Sequence, residues 1–269
     1  MTFQAERQKK RVTGIIFALG LIFLFFLSLS QLGIMPQQVL ESGERFQSVL
    51  TSMFPPDVYD SVGVASAAVE SLQIAVMGTF WGILFSLILA MFAAKNLTPH
   101  RFVSYAVKAF AVMVRAVPAL IWALLFIVAV GLGPVPGILA LAVNSTGMLI
   151  KVYAEAIEEV DKGIIDAMIS TGATKFQLVA QGILPVVSRM LVTWSVFRFD
   201  INIRYAAVLG VVGAGGIGWE LVRASQTMAY NEMLGITLVI FSIVLFAEFT
   251  TRFLQAWTER SNIRMYQQH

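Results

Sequence analysis

The sequence alternates long apolar runs with short charged ones. Runs at about 12–30, 69–94, 109–130, 137–153, from 186 onward and 233–253 hold few charges. Roughly 20 consecutive apolar residues cross a hydrocarbon core as a helix, and these runs approach or reach that length. The pattern therefore predicts an all-α polytopic membrane protein of about six transmembrane helices. Residues 31–68 are more polar, carry Glu41, Glu44, Asp57 and Asp60, and contain the breaker pair Pro55-Pro56. They read as an external segment with one short amphipathic helix. Within the second span, Gly78-x-x-x-Gly82 sets two small residues on one face, a spacing that admits a close helix neighbour. In the third span, Pro118 predicts a kink.

Composition agrees with this reading. The chain is 58% hydrophobic and 13% charged, whereas soluble domains are nearer half apolar and a quarter charged. A net charge of +3 suits a nucleic-acid binder, but membrane proteins also gather Lys and Arg in cytoplasmic loops, so no nucleic-acid partner is expected. Basic clusters at 7–11, 95–108 and 252–264 fall on one side if both termini are cytoplasmic, and the acidic 31–68 segment then falls outside. With no cysteine and only two histidines, disulfides are excluded and no His/Cys metal site is expected. The first apolar run exceeds a signal-peptide core and is followed by no A-x-A-like site, so it reads as a retained helix.

The segment 154–185 carries the most chemistry. From Glu155 it reads as a helix, a glycine-centred turn at Gly172, and a second helix that Pro185 ends. Gly172 supplies permissive backbone, Thr174 or the Ala173 backbone opens the next helix, and Phe176, Val179 and Ile183 recur at helical spacing. A helix-turn-helix between two spans must dock on something, and the pattern alone also allows docking on its own chain. Asp166-Ala167-Met168, then Gly172, then Leu184-Pro185 resembles the "EAA" loop of permeases of binding-protein-dependent ABC importers. Asp166 and Met168 replace the usual Glu and second Ala. The resemblance implies an ATPase-coupling role for Asp166, Ala167, Gly172, Ala173 and Thr174.

Phe197-Arg-Phe-Asp-Ile-Asn-Ile-Arg204, followed by the glycine-rich stretch 208–218, is similar to the phosphonate-type members of that family. Arg115-Ala-Val-Pro118 resembles their entry to the third span. The glycine-rich part is shared with methionine-type permeases, and Asp200-x-Asn202-x-Arg204 is the more discriminating piece. The formal dinucleotide fingerprint Gly213-x-Gly215-x-x-Gly218 lacks the βαβ context that motif needs, and small residues turning the backbone at a membrane edge account for it. The sequons at Asn96 and Asn144 fall in a cytoplasmic loop and inside a span, and carry nothing. The sequence contains no G-x-x-x-x-G-K-[ST], hence no P-loop.

Ionisable residues in spans are functional hypotheses by default. Arg115, Arg198, Asp200 and Arg204 qualify, with Asn202 beside them, as candidates for the translocation pathway. If 198–204 is helical, Asp200 and Arg204 pair at i, i+4. Arg198 then shares its face with Asn202 and no carboxylate, which suits contact with an anionic substrate. Arg115 has the simpler alternative of snorkelling to the interface, and Glu248 reads as an interhelical hydrogen-bonding partner.

The expectation is a single transmembrane permease domain over 1–269, with a core of spans over 69–255. The resemblance implies that it moves phosphonate or a related phosphorus oxyanion across a bacterial cytoplasmic membrane, with no catalytic residues and no cofactor of its own. ATP is used by a partner ATPase dimer. An external binding protein, a second permease copy and the lipid bilayer complete the partners. A methionine-type permease is the alternative. An ion-coupled transporter would more often show internal repeats, and a membrane-embedded enzyme would need a catalytic constellation that the spans lack.

Overall fold

The computed structural model describes residues 2–33, 36–98 and 100–266, with side-chain surroundings described for 13–33, 42–98 and 100–253. All regular elements among them are helical. The chain forms two compact units, 1–55 and 56–269. The first holds α1 (Thr2–Gln31) and α2 (Pro36–Ser52). Residues Thr13–Gln31 of α1 are long and apolar enough to span a membrane, and α2 is the short amphipathic helix expected in the 31–68 segment.

The second unit begins with α3 (Ser61–Ala93), whose 33 residues make about 50 Å of helix at 1.5 Å per residue. That exceeds the ~30 Å hydrocarbon core, so the helix projects beyond the bilayer at one end or both. It starts ahead of the apolar run because Asp60 caps it, accepting from the Gly63 N–H at 2.8 Å. After α4 (Arg101–Ala116) and α5 (Ala119–Val130) comes the central α6 (Pro134–Glu158), packed against α3, α4 and α5 and against the later helix Leu184–Gly210. The Gly78/Gly82 spacing is used here. A Cβ on Gly78 would lie 2.5 Å from the Cβ of Leu141, and one on Gly82 would collide with Ser145. Overpacking of this kind typically costs about 1–3 kcal/mol. Gly82→Val should therefore lower the thermal transition of the detergent-purified protein clearly, and an unchanged transition would mean the α3–α6 contact is looser than described.

Two expectations are corrected. The third span is not one kinked helix: α4 and α5 meet at 88°. Pro118 lacks an N–H, and the residue before a proline avoids helical backbone; Val117 accordingly extends to φ −92°, ψ 120°. The indole N–H of Trp122 donates back across the break to the Val114 carbonyl at 3.3 Å. Second, Pro185 does not end its helix. α7 (Lys162–Ser170) is followed by a turn, then α8 (Lys175–Gln177), a π-helical segment Leu178–Ile183 and α9 (Leu184–Gly210). Pro185 cannot donate to Gln181, and the π turn just before it re-registers the carbonyls, with Leu184 N–H bonding Val179. The stretch 198–204 is regular helix, as the i, i+4 pairing of Asp200 and Arg204 requires, and irregular backbone starts only after Gly210.

There, Gly213, Gly215 and Gly216 take φ of +94°, +76° and +76°, and Gly210 approaches so near that its Cβ would lie 2.6 Å from the Gly215 carbonyl. This turn folds α10 (Ile217–Gln226), which the apolar pattern does not reveal, back toward α3, where the Ile217 N–H reaches the Ser71 hydroxyl at 2.9 Å. The last helix, α11 (Tyr230–Tyr266), packs on α9 and α10. Among the described residues five helices, or six counting the bent pair, are long and apolar enough to cross a membrane.

Candidate functional site

The loop between α6 and α9 is built from local signals. Asp161 caps α7 by accepting from the Gly163 N–H at 2.6 Å. At the other end, Gly172 at φ +78° takes the left-handed position of a helix stop. Its N–H donates to Ile169 O at 2.9 Å, and that of Ala173 to Met168 O at 3.2 Å. Thr174 then opens α8 in a reciprocal capping box with Gln177. Gly172 thus turns the chain, Thr174 restarts it, and Asp166 and Gly172 stand exposed on the outer surface.

The loop has an inner and an outer face. Ile165 and Met168 pack against a core that includes Leu178 and Ile183. Met168 fills the space at Gly182, where an added Cβ would lie 3.3 Å from its Cγ, so a larger residue than alanine has a packing reason to stand there. Phe176 is 82% exposed on the outer face, while Ile169, one turn on from Ile165, is 57% exposed and lines a cavity with Ile165, Leu97 and Leu178. An aromatic ring projecting from a helix-turn-helix suits a docking surface, since interface cores are enriched in aromatic residues.

The second cluster lies where α9 crosses α6. Residues alternate along 198–204, and two steps on a helix turn through about 200°. Arg198 and Asn202 therefore share one face, and Asp200 and Arg204 the opposite one. The structure divides the expected pathway residues in this way. Arg198 is buried and donates from Nε to the Ser145 hydroxyl at 2.9 Å, and from its terminal nitrogens to the Asn144 side-chain carbonyl and, at 3.5 Å, to Met148 Sδ. Fully buried Asn202 donates from Nδ2 to Thr79 Oγ1 at 2.8 Å and to Ser145 Oγ at 2.9 Å. Its Oδ1 has no partner among the described residues. No carboxylate pairs with Arg198 among the described residues, so its charge is met only by neutral dipoles. On the other face Asp200 pairs with half-exposed Arg204, as its spacing predicts, and approaches Thr251 of α11 at 3.5 Å.

Arg115 stands at the end of α4, with its stem lying on Gly147 of α6 (an added Cβ there would be 3.1 Å from Arg115 Cγ), one turn along that helix from the Asn144 that accepts from Arg198. It belongs with the Arg198 face. Glu248 is corrected: its partner is Arg252 on the same helix, at 2.5 Å. Sequence reasoning passes over Thr79, Asn144 and Ser145. The polar run 144–146 inside an apolar span is the available sign, and its resemblance to a misplaced sequon hides it.

A broken third span, a central helix wrapped by its neighbours and an exposed helix-turn-helix between two spans define the type I ABC importer permease architecture. The inward-facing MetNI methionine ABC transporter superposes with a TM-score of 0.64 at 21% identity, covering 74% of this chain and 97% of that one. The family of binding-protein-dependent transport system inner membrane components matches residues 82–264. Phosphate-import permease protein PhnE of Mycolicibacterium smegmatis is 41% identical over 209 residues, 78% of this chain and 39% of that protein. Phosphite transport system permease protein PtxC of Stutzerimonas stutzeri is 38% identical over 190 residues, 71% of this chain and 69% of that protein. The chain belongs to the binding-protein-dependent transport permeases, on their phosphonate-type branch.

Proposed function

We propose that the chain is the membrane-spanning subunit that moves a phosphonate or related phosphorus oxyanion into a bacterial cell. The observation that carries this is Arg198: a guanidinium in the spans with no carboxylate partner among the described residues. A charge at such depth is costly and is retained for function, and its sign suits an anion. The relatives named for phosphate and phosphite agree with that sign, whereas the likeness to the methionine transporter is one of fold.

In this reading both termini are cytoplasmic, and two copies enclose a path in the cytoplasmic membrane. An external binding protein delivers the oxyanion. A separate ATPase dimer binds and hydrolyses ATP, and this chain holds no nucleotide or other cofactor. Phe176 seats the α7–α8 turn in a cleft of the ATPase, with Asp166, Ala167, Gly172, Ala173 and Thr174 forming the contact. ATP-driven closure of the ATPases moves this turn and reorients the spans. Arg198 and Asn202 line the path, Arg115 follows them, and Asp200 with Arg204 keeps α9 oriented on its other face. The subunit changes the location of its substrate and not its chemistry.

The test is uptake into vesicles holding the assembled complex with its binding protein. Labelled phosphonate should accumulate with ATP, and unlabelled phosphite should compete while D-methionine does not. Accumulation of methionine with no phosphorus oxyanion uptake would overturn the reading.

A further inference from the structure

α6 is packed on nearly all sides, and its open positions are informative. Asn144 and Met148 are partly exposed, and Lys151 and Glu155 exposed, while Gly147, Leu149, Ile150, Tyr153 and Ala154 around them are buried. Spacings of four, three and four put Asn144, Met148, Lys151 and Glu155 on one stripe. Lipid-facing stripes are apolar, and polar or charged residues within spans face the bundle interior or a water-filled cavity. This stripe starts at the partners of Arg198 and ends in a cavity of about 220 Å³ lined by Lys108, Val112, Arg115, Lys151 and Glu155.

The charges in that cavity are unevenly satisfied. Lys108 is held by Glu158 at 2.7 Å, and the same carboxylate oxygen accepts the Lys95 backbone N–H at 2.8 Å. Lys151 and Glu155 stand 3.8 Å apart with side chains about half exposed, so their pairing is weak. Arg115 forms no ion pair among the described residues. Gly147 permits its position, because a Cβ there would lie 2.8 Å from Val114 and 3.1 Å from the Arg115 stem. From Asn144 to Glu158 the track runs for about 21 Å of helix. It leads from the buried guanidinium toward the α6 end that carries the coupling loop.

We infer that Arg115 and Lys151, with Lys108 at the rim, form a second oxyanion site on the cytoplasmic side of Arg198, through which a tetrahedral phosphorus oxyanion leaves. This rests on the oxyanion-import reading above. Arg198 takes the anion at the centre of the spans. The cavity offers a shallower, more hydrated station, so the anion is passed on instead of held. The same cations suit the phosphodiester of an anionic lipid headgroup, and the test separates the two sources.

The absence of native cysteine makes a single reporter thiol possible. Val112→Cys places it on the cavity wall, where the native side chain is 63% exposed, and leaves every charge in place. Met148→Cys is the second reporter, further along the stripe. In complexes reconstituted in neutral phosphatidylcholine vesicles, the anionic sulfonatoethyl methanethiosulfonate should label the thiol at position 112 at least about tenfold faster than its trimethylammonium counterpart, since a cationic cleft concentrates anions by that order. Phosphite should slow the labelling, and Arg115→Gln with Lys151→Gln should erase the preference. Equal rates, a cationic preference, or no labelling at either reporter would overturn the site. Protection seen only when anionic phospholipid is present would also overturn it and assign the cations to a headgroup. Uptake by the unsubstituted complex is run alongside. If phosphorus oxyanions enter while the thiols show no preference, the second site fails and the transport reading stands; if none enter, the transport reading itself fails.

Discussion

Gly172→Val should abolish ATP-driven uptake while leaving the complex inserted and assembled. A Cβ at Gly172 would meet nothing within 4 Å, so crowding is not the cause. The cause is the backbone. At φ +78° a β-branched residue is a true outlier, and left-handed backbone costs an L-residue roughly 1–2 kcal/mol. That strain is relieved by unwinding the stop, which would break the Gly172–Ile169 and Ala173–Met168 bonds and move Thr174 and its capping box. The loop lies outside the spans, so insertion is unaffected and the loss falls on coupling. Asn, which tolerates this conformation, should restore much of the uptake at the same position. Equal uptake by the Val and wild-type complexes would mean that the turn does not transmit the ATPase stroke.

Arg198→Gln should lower uptake by about 30-fold or more, taking a desolvated charge contact as worth about 2–5 kcal/mol. Glutamine can still donate to Asn144 or Ser145, so much of the α6–α9 contact is kept while the charge is lost. Arg198→Lys keeps the charge and loses the planar fork, and should fall between the two. The readout that separates transport from structure is ATPase turnover of the same complex together with its thermal transition. Both should stay near wild type in the Gln variant, because the coupling loop is untouched. Uptake within about threefold of wild type, well short of the loss expected for a desolvated charge, would remove Arg198 from the path.

The sequence made legible whatever depended on local chemistry. The stop at Gly172, the cap at Thr174, the Gly78/Gly82 approach and the Asp200–Arg204 pair each follow from the residue type and spacing of a few neighbours. What it hid depended on which faces meet. The alternation in 198–204 shows two polar faces but not that one of them meets Asn144 and Ser145 across α6. Prolines were legible as disturbances, yet their outcomes differed. Pro118 follows an extended Val117 and produces a right-angle break, while Pro185 follows a π turn and the helix continues. The difference is set by whether preceding carbonyls find other donors, which is a property of the fold. α10 was invisible because its Ser71 anchor is far away in the chain.

The continuity across Pro185 has a mechanical meaning. From Lys175 to Gly210 the backbone is helical for 36 residues, and Arg198 lies about 35 Å along it from the turn at Gly172–Thr174. A displacement imposed at that turn arrives at the guanidinium through one shaft, without crossing a loop. Within that shaft Leu178–Ile183 is the segment whose hydrogen-bond register has slipped by one residue, the kind of break at which long helices bend. Stiffness beyond that segment and give within it would make the timing of Arg198 a matter of gearing, set by a short stretch about 20 Å short of the guanidinium.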